Sequence, residues 1–295
     1  LYQRKAIEMK PDFAKAHYNL ANTLKGLGEL QKAKLAYRKT IEIKPDFAKA
    51  HYNLANTLKE LSELQEAKIR YRKAIELNPE YTNAHYNLGS ILLDLGRLQE
   101  AELSTRKAIE LNPDFVDAYL NLGNILREMG KSQEALVSYL KAIDIAPTPS
   151  KIYNSITFLL KESDPSLLNK SKLNNIFKIL LEREDINHQE LFNVLNFFYK
   201  DEITSNLKNI ESQSSMIELF DNKELIINAL KKLIFNDPQL EKLLTSIRKK
   251  ICHLVAKNTE EISYCQLQLI VALGEQCYLN EYIYYLTQEE YTSIN

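Results

Sequence analysis

Glycine is scarce in this sequence: only 7 of the 295 residues are glycine, and Gly274 is the only one beyond residue 130. The turn glycines and the two-residue alternation of a β-sheet are both missing, which argues against an α/β catalytic domain. The segment Gly26-Leu27-Gly28 lacks the third glycine and the preceding strand of a dinucleotide-binding loop. The complete patterns GxxxxGK[ST], HExxH and GxSxG are absent as well. We therefore predict no catalytic residue, no cofactor and no enzymatic activity.

Cysteine is also rare, and the three cysteines, Cys252, Cys265 and Cys277, all lie late in the chain. An odd number at this wide spacing fits neither a disulfide framework nor a CxxC metal site. We therefore expect the three cysteines to be reduced thiols in the core, as is typical of cytosolic proteins. The sequence therefore predicts a cytoplasmic protein.

The sequence as a whole has no excess of positive or negative charge, but its parts do. The net charge is -1, yet residues 1–50 carry 11 Lys and Arg against 5 Asp and Glu, and no Lys or Arg follows Lys257. A balance so close to neutral argues against nucleic acid as a partner, whereas the basic front favours acidic peptides. The apolar segment 267–273 ends before Glu275, too short to span a membrane, so we predict no membrane partner.

A segment that begins at Pro11 and ends at Leu24 recurs at a spacing of 34 residues. A fixed period of this length indicates stacked supersecondary units that bury their apolar faces against each other. Within each unit the apolar residues form two stripes at helical spacing, and a glycine such as Gly28 separates them. Each unit is therefore predicted to be a pair of helices with a left-handed glycine between them, except that Ser62 takes this position in the second unit.

The recurring positions resemble the tetratricopeptide repeat. Small residues stand in the first helix at Ala16, Ala50, Ala84 and Ala118, and in the second helix at Ala33, Ala67, Ala101 and Ala135. This resemblance implies an all-α fold in which the repeats form a right-handed superhelix, an α-α solenoid. We assign residues 1–160 to the repeat array with a C-terminal capping helix, and residues 161–295 to an irregular helical domain.

Asparagines recur on the predicted first helices, which line the concave face in the resembled family. They form two columns one helical turn apart: Asn19, Asn53, Asn87, Asn121 and Asn154, and Asn22, Asn56 and Asn124. An amide carries both a donor and an acceptor, so such a column can pair with the backbone of an extended peptide. Alternatively, these asparagines hydrogen-bond to each other and are structural.

The columns are similar to the asparagine-lined repeats of O-linked N-acetylglucosamine transferase, a resemblance that implies peptide capture in the groove. Lys15 and Lys49 flank them and favour acidic ligands. Function is therefore predicted to be non-catalytic binding of a protein or extended peptide.

Three histidines, His17, His51 and His85, also recur in register. Equivalent atoms in neighbouring repeats lie roughly 10 Å apart, the spacing of packed helices. One zinc ion needs its nitrogen ligands within about 2.1 Å of a single point. The histidines are therefore predicted to pack between helices, and no metal site is expected.

Residues 262–290 resemble the helical segment that precedes the catalytic domain in bacterial tetratricopeptide proteins fused to an S-adenosylmethionine-dependent methyltransferase. This resemblance implies an alternative function, in which the chain is the N-terminal targeting part of a larger methyltransferase. The asparagine columns suggest a glycosyltransferase as a more distant alternative. The sequence leaves the ligand and the oligomeric state open.

Overall fold

The computed structural model describes residues 2–198 together with 231–233, 246, 267–268, 271–272 and 274. These residues fall into two compact units, 1–148 and 149–295. Helices and turns make up the described residues, and no strand occurs among them. The fold is therefore all-α, as the sequence predicts.

The first unit is a series of helix pairs preceded by a single helix. The helices are α1 (Tyr2–Met9), α2 (Ala14–Gly26), α3 (Leu30–Ile43), α4 (Ala48–Glu60), α5 (Leu64–Leu77), α6 (Thr82–Asp94), α7 (Leu98–Leu111), α8 (Val116–Glu128) and α9 (Ser132–Ile145). The main contacts join α2 to α3, α4 to α5, α6 to α7 and α8 to α9, and each second helix also packs against the next first helix. We number these four pairs as the first to fourth repeats. They stack into the predicted α-α solenoid.

Small residues allow the helices of this unit to approach closely. The first-helix alanines Ala50, Ala84 and Ala118 are fully buried, and so are the second-helix alanines at the recurring positions, Ala33, Ala67, Ala101 and Ala135. A larger residue at the alanine positions would push the backbones apart. Leucines and isoleucines fill the space between the alanines. The recurring alanines of the sequence thus belong to the core of the array.

The first helix of each repeat ends in a Schellman motif. The Gly28 N–H donates to the Lys25 carbonyl oxygen, and the Glu29 N–H donates to the Leu24 carbonyl oxygen. The other repeats make the same two bonds, and the left-handed residue has a φ of 76° at Gly28, 69° at Gly96 and 74° at Gly130. Ser62 occupies this position in the second repeat with a φ of 61°. The predicted helix stop is confirmed.

An aromatic residue precedes each first helix, and those of the second to fourth repeats pack on the previous repeat. The ring centroids lie 4.9 Å apart for Tyr18 and Phe47, 4.6 Å for Tyr52 and Tyr81, and 4.9 Å for Tyr86 and Phe115. Such offset pairs add to the stability that apolar burial gives. These rings fix the start of each first helix against the neighbouring first helix.

The second unit contains α10 (Ser150–Glu162) and α11 (Lys170–Glu182), with 3-10 turns at Pro165–Leu167 and His188–Leu191 and an α-helical stretch at 192–198. Its buried residues include Ile156, Phe177 and Leu191. The side chain of Asn169 accepts the Lys172 N–H and caps α11. Residues 161–198 are thus helical and irregular, and the predicted boundary at residue 160 stays a prediction.

A polar clasp joins both helices of this unit. The Arg183 guanidinium donates to the Asp185 carboxylate at 2.7 and 2.6 Å, and Ser150 donates to the same carboxylate. These hydrogen bonds, first of all those from Arg183, lower the pKa of Asp185 to about 2. The Arg183 guanidinium also lies 3.9 Å from the ring centroid of Tyr153. The chain after α11 is thereby held at the start of α10.

Candidate functional site

The predicted asparagine columns lie on the first helices, and these helices contact each other directly. Helix α2 contacts α4, and α6 contacts α8, so the first helices form one continuous surface, which we call the first-helix face. Asn19 is exposed there, Asn53 and Asn87 are half-buried, and Asn121 is buried with 8% of its surface exposed. Asn154 is exposed on α10 in the second unit, and its place in the column stays a prediction.

At the junction of the first and second repeats, two asparagines and two tyrosines form a hydrogen-bonded network. The Asn53 Nδ2 donates to the Tyr18 hydroxyl at 2.9 Å and to the Asn22 Oδ1 at 3.1 Å. The Tyr37 hydroxyl donates to the same Asn22 oxygen at 2.6 Å. One carbonyl oxygen therefore accepts two hydrogen bonds, one from the next repeat and one from its own second helix.

The junction of the second and third repeats reproduces this network. The Asn87 Nδ2 donates at 3.1 Å to both the Tyr52 hydroxyl and the Asn56 Oδ1, and the Tyr71 hydroxyl donates to the Asn56 Oδ1 at 2.5 Å. We call both sets the Asn–Tyr network. Its hydrogen bonds match the structural alternative, in which the asparagines bond to each other.

The junction of the third and fourth repeats lacks this network because its members differ. Ser90 replaces the acceptor asparagine and Thr105 replaces the buried tyrosine. Asn121 donates to the Thr105 Oγ1 at 3.3 Å instead, and the Ser90 Oγ accepts from the Lys59 Nζ at 3.1 Å. In the fourth repeat, Asn124 still accepts from Tyr139 at 2.8 Å.

The network uses only half of each amide, and the described residues leave the other half without a hydrogen-bond partner. Asn22 gives its oxygen to the network, and its NH2 group has no hydrogen-bond partner among the described residues; Asn56 is equivalent. Asn53 and Asn87 give their NH2 groups, and no described residue donates to their Oδ1 atoms. None of these four atoms is both buried and unpaired, so each reaches solvent. Each of the first two junctions thus presents one donor and one acceptor.

The tyrosines that donate to the acceptor asparagines lie on the second helices, and the sequence analysis did not identify them as partners of these amides. Tyr37, Tyr71 and Tyr139 are fully buried, and burial raises the pKa of each hydroxyl, that of Tyr139 to about 12. The neutral hydroxyl is therefore a donor at any ordinary pH. A signal was available, because Thr105 replaces tyrosine in the same repeat in which Ser90 replaces asparagine.

The predicted basic flank separates into paired and unpaired lysines. Lys25 lies 2.9 Å from Glu60, and Lys59 donates to Ser90. Lys15 and Lys49 are exposed, and neither has an ion-pair partner among the residues in the described part of the chain. Both lie in the first turn of their helices, where the helix dipole disfavours a cation. An anion bound there would relieve that repulsion.

The three histidines in register hold the loop that precedes their own helix. The Nε2 atoms of His17, His51 and His85 lie 2.8, 2.9 and 2.8 Å from the carbonyl oxygen of the proline six residues earlier. Each ring therefore donates to its own repeat. Among the described residues, no group of three His, Cys, Asp or Glu side chains is placed to hold a metal ion.

Comparison with protein-family models identifies the helix pairs. Models of the tetratricopeptide repeat match residues 14–47, 36–69, 82–115 and 105–137, and a further model of the same repeat matches 55–96. Residues 14–137 are tetratricopeptide repeats. The resemblance stated from the sequence is confirmed for this part of the chain.

Solved structures with the same repeats confirm the fold. YrrB, described as a TPR protein with an unusual peptide-binding site, is 25% identical with a TM-score of 0.52 over 62% of this chain and 94% of its own. MamA from Desulfovibrio magneticus RS-1 is 20% identical, with a TM-score of 0.52 over 57% of this chain and 93% of its own. PilF from Pseudomonas aeruginosa is 22% identical, with a TM-score of 0.50 over 64% and 85%. No curated protein sequence matches significantly.

These matches concern the repeats and give no support to the methyltransferase resemblance of residues 262–290. That segment and the three cysteines lie outside the described residues, apart from isolated positions. Within the described part of the chain, no helix combines the length and apolarity needed to cross a membrane.

Proposed function

We propose that this chain is a non-catalytic scaffold that binds extended peptide segments of a partner protein on its first-helix face. The observation that carries the proposal is the pair of unused amide groups at each of the first two junctions. The NH2 group of Asn22 accompanies the oxygen of Asn53, and that of Asn56 accompanies the oxygen of Asn87. A peptide unit also offers one N–H and one C=O, so each pair complements a ligand backbone whatever its side chains.

The network itself supports this function, because it fixes each amide before a ligand arrives. A binding group that is held in one rotamer loses less conformational entropy on binding than a mobile one. The buried tyrosines and the neighbouring asparagines hold these amides from two sides. A structural role and a binding role are therefore compatible in the same residue.

The ligand is expected to be acidic near the start of the array. Lys15 and Lys49 are exposed, and their counterparts in the third and fourth repeats are Asn83 and Asp117. The cations thus stand only on the two repeats that supply Asn22 and Asn56. Their contribution should weaken as salt is added, because exposed charges are screened.

The proposal is tested with Asn22→Asp combined with Asn56→Asp. Aspartate keeps the oxygen that accepts from tyrosine and from the next asparagine but removes the free NH2 group. The probe is a set of 12-residue peptides selected on the full chain from a random library displayed on phage. We expect the double variant to bind them at least tenfold more weakly, with an unfolding midpoint close to wild type. Methylation of the peptide backbone nitrogens should produce a similar loss.

Asn124→Asp is the matched control, since Asn124 also accepts from a buried tyrosine but has no network asparagine beside it. It should retain full affinity. Peptides that bind the double variant as tightly as wild type would disprove recognition of the backbone by these amides.

A further inference from the structure

The exposed face of the second helices carries a second recurring pattern that peptide binding on the first helices does not use. Four large apolar side chains, one in each repeat, stand exposed on this face: Leu35 (63% exposed), Ile69 (59%), Leu103 (70%) and Val137 (41%). They lie 34 residues apart, so they occupy equivalent positions. Exposed apolar residues aligned in this way indicate an interaction surface, whereas scattered ones do not.

At the first and third junctions, an ion pair crosses from the second helix to the next repeat beside these apolar residues. Lys34 lies 2.8 Å from Glu63 at the first junction, and Lys131 lies 3.3 Å from Glu102 at the third. The two positions therefore approach to hydrogen-bonding distance, and each of these junctions places one cation and one anion there. The order of the charges is reversed between the two junctions, but the pairing is kept.

The second junction breaks this rule, because both equivalent positions are cationic. Lys68 takes the position of Lys34, and Arg97 takes the position of Glu63. Lys68 donates to the Gln65 side chain, and Arg97 contacts Glu100, which also binds Arg72.

Among the described residues, Glu100 is the one carboxylate that pairs with Arg72 or Arg97, and Lys68 has no carboxylate partner. We call these four residues the outer cation cluster. The other nearby carboxylate of α5, Glu66, is already held by Arg38 and Arg70. The cluster thus has a surplus of two positive charges. Arg72 and Arg97 are about half exposed, with 49% and 48% of their side-chain surface open to solvent.

We infer that the outer cation cluster, together with the exposed Ile69 of α5 and Leu103 of α7, docks a segment of a partner protein that carries a carboxylate between apolar side chains. The flanking junctions show that one carboxylate at this position reaches a cation of the neighbouring repeat. At the second junction both of these positions are cationic, so a partner can bring the carboxylate. Ile69 and Leu103 bury apolar surface on contact, and the charges select an acidic partner and steer its approach.

The decisive variant is Arg97→Glu, which restores the pairing of the neighbouring junctions. Glutamate is the native residue at the equivalent positions 29 and 63, where it also precedes a second helix. The variant should therefore fold, with the introduced carboxylate opposite Lys68. The probe is a random library of 15-residue peptides displayed on phage, selected on the full chain and depleted on Arg97→Glu.

We expect the selected peptides to combine Asp or Glu with Leu, Ile or Phe, and to bind Arg97→Glu at least tenfold more weakly than wild type. Leu103→Ser should weaken them as well, since it leaves all charges in place but removes the apolar contact. Asn22→Asp with Asn56→Asp should leave them unchanged, which separates this surface from the first-helix face. If Arg97→Glu folds poorly, Lys68→Gln provides the same comparison.

Two results would overturn the inference. One is a selection that yields no peptide specific for the wild type over Arg97→Glu. The other is a set of specific peptides without an excess of acidic residues, or with affinity that is indifferent to Leu103→Ser.

Discussion

The second and third junctions between repeats share a backbone arrangement but differ in the side chains that join them. At the second, Asn56 and Asn87 are held by Tyr52 and Tyr71. At the third, Ser90 and Thr105 stand in place of Asn56 and Tyr71, and Asn121 turns to Thr105. The alanine core continues through both junctions without change. Stacking is thus determined by the small residues, while the network determines which amide groups the surface leaves without a partner among the described residues.

The largest expected difference between these junctions concerns the buried tyrosine. Tyr71→Ala removes a fully buried ring and the donor to Asn56, and we expect it to lower the free energy of unfolding by about 3–5 kcal/mol. Thr105→Ala, at the equivalent buried position, should lower it by about 1 kcal/mol. Urea unfolding followed by circular dichroism measures both. Equal losses would mean that the ring adds nothing beyond the smaller side chain.

A second difference is a first-helix position that is alanine in the first and second repeats and glycine in the third and fourth. A Cβ atom on Gly123 would lie 2.3 Å from a ring carbon of the fully buried Tyr139, whereas Ala55 is accommodated beside Tyr71. Gly123→Ala should therefore lower the free energy of unfolding by about 1–3 kcal/mol through overpacking, despite its better helix propensity. Ala55→Gly should cost about 1 kcal/mol for the opposite reason. A rise in the unfolding midpoint of Gly123→Ala would contradict this packing.

A smaller difference in the free energy of unfolding is expected between variants of a network asparagine and of the exposed Asn19. Asn87→Ala removes the donor to Tyr52 and to Asn56, and we expect a loss of about 1 kcal/mol. Asn19→Ala should leave stability unchanged, because Asn19 is exposed and its side chain makes no hydrogen bond among the described residues. Thermal unfolding of the two variants tests this order, and equal midpoints would show that the network contributes no stability.

The smallest effect concerns pH and distinguishes the second repeat from the fourth, where Tyr119 replaces the histidine. Burial lowers the pKa of His51, and its Nδ1 is buried without a partner. The unfolded chain therefore takes up this proton first as the pH falls below about 6.5. Stability should be complete above that pH and decrease below it. His51→Gln should flatten this part of the pH profile, measured by urea unfolding between pH 7 and 5; an unchanged slope would exclude His51 as its source.

The array could be predicted from sequence because its determinants are local and recur. Gly28 and its equivalents mark the helix ends, and the alanines mark the buried stripes, within a window of 34 residues. The asparagines lie on the first helices, as the sequence predicted, and their role in binding stays a prediction. What each amide binds could not be read in this way, because Tyr18 and Asn53 are 35 residues apart and meet only after stacking.

In the second unit, two residues that favour helix capping, Asp164 and Asn169, stand close together before α11. An Asp before a Pro, as in Asp164-Pro165, is a common pattern at the start of a helix, but here the Asp164 side chain accepts from Ser166 in a short 3-10 turn. Asn169 then caps the helix itself. Both residues are good caps, so the capping pattern in the sequence does not by itself fix where the helix begins.

The amide pairs occur once per repeat, and this spacing restricts the backbone conformation of the proposed ligand. Packed helices lie about 8–10 Å apart, so a chain that meets both pairs must present the same backbone edge at that interval. A β-strand presents the same edge at every second residue, an interval shorter than the spacing of the pairs. A polyproline II helix completes each turn in three residues, over about 9 Å. The proposed ligand would therefore match the spacing of the array best as a left-handed polyproline II chain, a conformation that unfolded segments already populate.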